Sequence, residues 1–210
     1  MPLFLRKDIK TNCKMAVWNI TEREAELSEM ISFSEQDRGV LKEVKHELRR
    51  LQWMATRELL KQLTGENDLR ISYDVFGKPF LADSEIKISI SHSHNKAALI
   101  INKEETGIDI ELIKEKIVRI ENKFMSQTEM KNVKAENKKE MLSIYWCAKE
   151  SLYKLYGKKE LHFKENIRIA DFSYNKEGII SGKIVTKTLN ESYRLHYLKL
   201  DDFMLTYVLP

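Results

Sequence analysis

Residues 86–111, IKISISHSHNKAALIINKEETGIDIE, decide how this chain is read. Around GIDIE, Ile108, Ile110 and Leu112 fall on one face of a strand and Asp109 and Glu111 on the other, because successive side chains of a strand point to opposite sides. Two carboxylates therefore point the same way. Ile86, Ile88 and Ile90 alternate in the same manner, and SHSHN followed by the apolar AALII predicts two strands joined by a tight polar turn. NKEETG reads as a second turn leading into GIDIE. In an up-down-up meander the first and third strands run in the same direction. Ser91 and His92 would then lie near Asp109 and Glu111, with a hydroxyl, an imidazole and two carboxylates at one end of a sheet.

Working outward, KKEMLSIYWCAKESLYKLYG (138–157) repeats with helical spacing. Met141, Ile144, Ala148, Leu152 and Leu155 form a core-like stripe, while Trp146, Glu150 and Lys154 recur every four residues on another. That helix offers a third acid and a base to the same cleft. Three carboxylates with no cysteine or histidine cluster suit a hard divalent cation, which takes oxygen ligands alongside water and substrate phosphates. The residues alone point to a metal-assisted phosphate site, although Glu150 and Lys154 could equally form an ordinary helical ion pair.

The chain's 210 residues suffice for one domain or two small ones, and 42% hydrophobic content with seven Gly and three Pro indicates a folded core. A net charge of +4 permits an anionic ligand without the concentrated basic stripe of a nucleic-acid binder. No apolar run reaches membrane-span length, MPLFLRKDIK is too short an apolar patch for a secretory signal, and Cys13 and Cys147 match neither a metal nor a disulfide framework. The expectation is a cytoplasmic protein with no nucleic-acid or membrane partner.

Elsewhere, KMAVWNI (14–20) reads as a strand and TEREAELSEM as a short helix capped at Thr21. Apolar spacing from Glu35 to Leu63 predicts one long helix ended by Gly65, with Arg50 and Arg57 two turns apart on another face. Arginine grips phosphate with a planar two-bond fork, while each arginine taken alone fits a solvated face equally well. Gly77 and Pro79 around Lys78 mark a turn. His94 is expected to be simply exposed. IKEKIVRIENK (113–123) leads into helix, and Ser126 with Glu129 has capping-box spacing. IRIADFSY, IISGKIVT, YRLHYLKL and FMLTYVLP (203–210) read as antiparallel strands, with NKEG a turn between the first two.

Taken together, GKPF (Gly77–Phe80), ISHS (Ile90–Ser93), GIDIE (Gly107–Glu111), FMSQTE (Phe124–Glu129) and WCAKESLYK (Trp146–Lys154) resemble, in order and separation, the 4'-phosphopantetheinyl transferases of the surfactin-synthetase-activating type. The resemblance implies an α+β fold of two similar lobes related by pseudo-twofold symmetry, each a long helix on a small, mainly antiparallel sheet. On that basis residues 1–105 would be a coenzyme-A-binding lobe and residues 106–210 a lobe carrying the metal carboxylates and catalytic helix. It also implies an enzyme that moves phosphopantetheine from coenzyme A to a serine of an acyl or peptidyl carrier protein, releasing adenosine 3',5'-bisphosphate, and that works as a monomer. Asp109, Glu111 and Glu150 would hold Mg2+, with Mn2+ the other oxygen-liganded choice. Glu150 and Lys154 would be catalytic, taking the serine proton and steadying the leaving phosphate. Arg50, Arg57, Lys78, Pro79, Ser91, His92 and Lys154 would grip coenzyme A, and VKAENKKE (133–140) would meet the carrier. Two alternatives remain: a coenzyme-A-binding module without transfer, and another Mg2+-dependent diphosphate-cleaving enzyme.

Overall fold

A computed structural model describes residues 2–67, 69–82 and 84–209. The first half runs β1 (Leu3–Lys10), β2 (Cys13–Asn19), α1 (Glu24–Met30), α2 (Glu35–Glu43), α3 (Glu47–Thr64), β3 (Ile71–Tyr73), β4 (Pro79–Leu81), β5 (Lys87–Ser93) and β6 (Lys96–Asn102). The second runs β7 (Gly107–Leu112), α4 (Lys116–Phe124), α5 (Gln127–Asn132), α6 (Lys138–Tyr156), α7 (Phe163–Asn166), β8 (Ile167–Ile169), β9 (Glu177–Val185), β10 (Asn190–Leu200) and β11 (Phe203–Leu209). A mixed α+β fold of antiparallel sheets results. One sheet has the order β1-β2-β6-β5, the other β7-β11-β10-β9-β8, and β3 and β4 form a separate hairpin. Among the described residues, no helix is long and apolar enough to cross a membrane.

Register explains how one strand serves two layers. Ile90 faces Leu99 and Leu99 faces Ala16 across the first sheet, so this face packs under Met54, Ala55, Leu59 and Leu63 of α3. The opposite face carries Met15, Val17, Ala98 and Ile100, which pack on Ile108, Ile110, Leu205 and Tyr207 of the second sheet. On the far side of that sheet, α6 buries Ile144, Ala148 and Leu152 against Met204 and Val208. Each fully buried Leu or Ile contributes about 1.5–3 kcal/mol. The carboxylates Asp109 and Glu111 alternate onto the α6 side.

The meander expected from residues 86–111 is only partly formed. β5 and β6 pair antiparallel through the two-residue turn His94–Asn95, but β7 leaves that sheet and pairs with β11. It nevertheless returns alongside β5.

The single helix expected over 35–63 is two helices, with Val44 and His46 in extended conformations between them. In one straight helix Asp37 and Arg57 would stand about 30 Å apart at 1.5 Å per residue. Folded back, they meet at 3.4 Å, and Arg50 Nη1 donates to the Leu41 carbonyl near the open end of α2. The cap of α1 is Arg23, whose backbone N–H donates to Glu26, rather than Thr21. The first C-terminal strand shrinks to Ile167–Ile169, and β9 begins at Glu177, inside the expected NKEG turn. The last strand ends at Leu209, Pro210 lying outside the described residues.

Candidate active site

Gly107 sets how closely the two catalytic candidates of sequence approach. A Cβ there would stand 1.9 Å from the Ser151 carbonyl oxygen, so only glycine lets β7 run against α6. The contact is to helix backbone, which cannot swing aside as a side chain can. Gly107→Ala is expected to cost about 2–3 kcal/mol of stability, read as a lower urea midpoint. An unchanged midpoint would mean that α6 is not held at this distance.

With α6 in place, Lys154 Nζ donates to Asp109 Oδ1 at 2.7 Å and to the Ile108 carbonyl at 3.0 Å. It pairs with Asp109, not with Glu150, so the helical ion pair left open by the sequence is not formed. Asp109 is 3% exposed, and its Oδ2 is buried with no hydrogen-bond partner among the described residues. Burial, then the charge of Asp109, pushes the Glu150 carboxyl up to about 7. Glu111 is raised by burial and Asp109 too, against a hydrogen bond from Ser93. With all three carboxylates ionised, Lys154 would leave two negative charges uncompensated in a partly dry space. Such a site fits a hard divalent cation, which would relieve that repulsion through oxygen ligands. The three side chains are not already gathered: among the described residues no group of three acidic, cysteine or histidine side chains forms a ready metal cluster.

Beside the carboxylates opens a pocket of about 270 Å3, lined in part by Phe76, Lys78, His92, Lys154, Lys158 and Lys159. The cations come from two ends of the chain. Asp74 Oδ1 accepts from the Phe76 and Lys78 backbone N–H groups, both at 2.8 Å, which winds the expected turn and aims Lys78 at α6. Lys78 Nζ then donates to the Leu155 carbonyl at 2.9 Å and pairs with Glu105. Gly157, at φ +73°, ends α6, and a Cβ there would stand 2.5 Å from Lys78 Cδ. His92 stands 2.8 Å from Arg49 Nη1, and burial, then Arg49, pushes its imidazole below the ordinary value.

Of the sequence candidates, Lys78, Pro79, His92 and Lys154 line this pocket, and Ser91 lies behind it, donating to Asp109 Oδ1 at 2.7 Å. Arg50 and Arg57 are not brought there. Arg50 pairs with Glu24, while Arg57 lies over the Trp53 ring, 3.0 Å from its centroid, and faces Asp37. Both tie α1 and α2 to α3. Burial lowers Arg57 to about 10. Arg49, Lys158 and Lys159 were missed by the sequence reading, which named only Arg50 and Arg57 as arginine candidates and took its last basic candidate at Lys154. A larger cavity of about 460 Å3, between Phe33, Arg57 and Ile71, is not lined by Asp109, Glu111 or Glu150.

Glu129 is structural, as its capping-box spacing predicted. Its side chain accepts from the Ser126 N–H at 2.8 Å, and it also takes the buried Lys149 Nζ at 2.8 Å and the Ile169 N–H at 2.9 Å. His94 is exposed at φ 51°, in the β5–β6 turn.

Residues 105–208 match the family model of the 4'-phosphopantetheinyl transferase superfamily. The 4'-phosphopantetheinyl transferase Sfp of Bacillus subtilis (strain 168) is 33% identical over 97 residues, covering 44% of this chain and 43% of that protein. A second Bacillus subtilis 4'-phosphopantetheinyl transferase is 30% identical over half of each chain, 50% and 50%. The 4'-phosphopantetheinyl transferase gsp of Aneurinibacillus migulanus is 34% identical over 40% of this chain and 36% of its own. The chain thus matches half or less of the length of these relatives. The matched segment, about half of the chain, includes β7 and α6, with all three carboxylates and Lys154, and it is this segment that belongs to the 4'-phosphopantetheinyl transferase superfamily.

Proposed function

We propose that this chain transfers the 4'-phosphopantetheine group of coenzyme A to a serine of an acyl or peptidyl carrier protein, releasing adenosine 3',5'-bisphosphate. The observation that carries this reading is the junction of an acidic cluster and a cationic pocket on one lysine, Lys154, which reaches Asp109 and also lines the pocket. A diphosphate spanning that junction meets cations on its nucleotide side. Lys78, His92, Arg49, Lys158 and Lys159 would hold the phosphates, and Phe76 offers an aromatic face to the base. Asp109, Glu111 and Glu150 would hold Mg2+ or Mn2+, which when bound neutralises diphosphate charge. The incoming serine oxygen attacks phosphorus, and the bond to the bisphosphate oxygen breaks. Glu150, on the α6 stripe that also carries Lys154, would accept the serine proton, and Lys154 would steady the leaving phosphate.

The lobe reading gains support from the cores. One long helix of 18 residues covers the four-stranded sheet and one of 19 covers the five-stranded sheet, with the change between β6 and β7. Residues 1–105 and 106–210 are proposed as the two lobes. The carrier would approach from the other side of Glu111, where Trp146, Lys114, Ile117 and Ile120 line an opening of about 320 Å3. The segment 133–140 is proposed to flank it.

Chromatography of a mixture with coenzyme A, Mg2+ and an apo carrier tests the proposal: adenosine 3',5'-bisphosphate should appear only when the carrier is present. Release without any carrier would make this a diphosphate hydrolase instead. Coenzyme A binding without release would leave a binding module.

Glu150 also gives a stability prediction. Its folded pKa, about 7, lies above the ordinary 4.5, so its stabilising contribution is complete below pH 4.5 and is lost as pH rises through about 7. Ionised at pH 8 without divalent cation, it costs at most about 3 kcal/mol. Glu150→Gln should therefore melt several degrees above the parent at pH 8 and level with it near pH 4.5. A difference independent of pH would contradict the assignment.

A further inference from the structure

β5 and β7 lie side by side and parallel, but no backbone ladder joins them. Three serines do so instead. Ser89 Oγ accepts from the Ile108 N–H at 3.0 Å, Ser91 Oγ from Ile110 at 3.2 Å and Ser93 Oγ from Leu112 at 3.2 Å. All three are buried, at 3%, 7% and 6% exposure. β7 is the edge of its sheet, and an edge left bare would present unpaired N–H groups to a buried seam. Because the serines fall every second residue, they meet every second amide of β7.

An oxygen that accepts an N–H on a lone pair has its own proton free to donate. Ser91 donates to Asp109 Oδ1 at 2.7 Å, and Ser93 donates to Glu111 Oε2 at 2.8 Å. Ser89 lies two residues before Ser91 and accepts from the Ile108 N–H, and the residue that precedes Ile108, as Asp109 precedes Ile110, is Gly107, which has no side chain to reach it. The same seam that joins the two sheets thus fixes the two carboxylates of β7, one serine to each.

We infer that Ser91 and Ser93 are positioning residues that fix Asp109 and Glu111 for the divalent cation, while Ser89, which joins the sheets and lines the pocket of about 270 Å3, reaches neither carboxylate. The inference rests on the proposed role of those carboxylates. It departs from the sequence expectation for Ser91, which placed it on coenzyme A, and it gives Ser93 a role that the sequence reading did not. Partners that orient a metal-holding side chain typically change metal affinity about 10–100-fold when removed. Ser89 is the internal control, because it makes the same N–H contact without the carboxylate.

Mn2+ titrated into the whole protein without coenzyme A, followed by the electron paramagnetic resonance signal of free Mn2+, gives the readout, with urea midpoints recorded in parallel. Ser89→Ala, Ser91→Ala and Ser93→Ala should lower the midpoint by similar amounts. Ser91→Ala and Ser93→Ala should weaken Mn2+ about tenfold, and Ser89→Ala less than twofold. Ser93→Thr, which keeps a hydroxyl, should recover most of the affinity. Equal weakening by all three alanine variants, with the parent binding normally, would overturn the positioning role and leave a purely structural seam. Absence of Mn2+ binding by the parent would overturn the metal reading itself and this inference with it.

Discussion

Asp109→Ala is expected to lower phosphopantetheine transfer by about 10³-fold, equivalent to ~4 kcal/mol of transition-state stabilisation. Its fold should survive. Asp109 is buried beside two other carboxylates, raises Glu111 and Glu150, and keeps one oxygen without a partner, so its removal relieves repulsion. The groups that lose it are the Ser91 hydroxyl and Lys154, and the lysine side chain is 26% exposed and can turn to water or to Glu150. The urea midpoint of the variant should therefore be within about 1 kcal/mol of the parent. Transfer near the parent rate would contradict the placement of the acidic site. Loss of both activity and fold would mean that Asp109 is a structural residue.

Lys149→Met is expected to cost about 3–5 kcal/mol and to lower the melting temperature by roughly 10 °C. Lys149 is fully buried, and its ammonium shares its three N–H donors among four acceptors at 2.8–2.9 Å, the Glu129 carboxylate and the carbonyls of Phe124, Phe163 and Ile167. Burial lowers its pKa, and Glu129 works against that shift. Four contacts tie α4, α5, α7 and β8 to α6 around one charge. A methionine fills the same space but leaves Glu129 as an unpaired buried anion. The double variant Lys149→Met with Glu129→Gln should recover part of the loss, since the larger cost is the orphaned charge. If Lys149→Met melts within 2 °C of the parent, the ammonium is not the tie between these elements.

The strand and helix that carry the acidic residues were legible because their periodicity and chemistry agree. Asp109 and Glu111 alternate away from Ile108 and Ile110, and the stripe of Trp146, Glu150 and Lys154 is the less buried side of an otherwise buried helix. The turn at Gly77 was legible for the same reason, with composition and geometry matching. What failed depended on partners distant in sequence. Arg49 and Arg50 are adjacent and chemically equal, but successive residues of a helix point about 100° apart, so one meets His92 and the other Glu24. Helical spacing through Leu41, Val44 and Leu48 hid the break that lets Asp37 return to Arg57. Ser91 and Ser93 fall in SHSHN, which reads as a polar turn, whereas β5 runs on through Ser93 and sets Ser89, Ser91 and Ser93 on one face. Nothing local says that this face is covered by the edge of β7. Nor could alternation show that β7 would leave β6 for β11, because strand pairing is set by packing across the whole chain.

Intact mass spectrometry of an apo acyl carrier protein, incubated with this protein, coenzyme A and Mg2+, reads phosphopantetheine transfer itself. The carrier should gain the mass of one phosphopantetheine, with the gain absent when its acceptor serine is replaced by alanine and abolished by a chelator. A carrier of unchanged mass, across several acyl and peptidyl carriers and with coenzyme A bound, would contradict the proposed transfer.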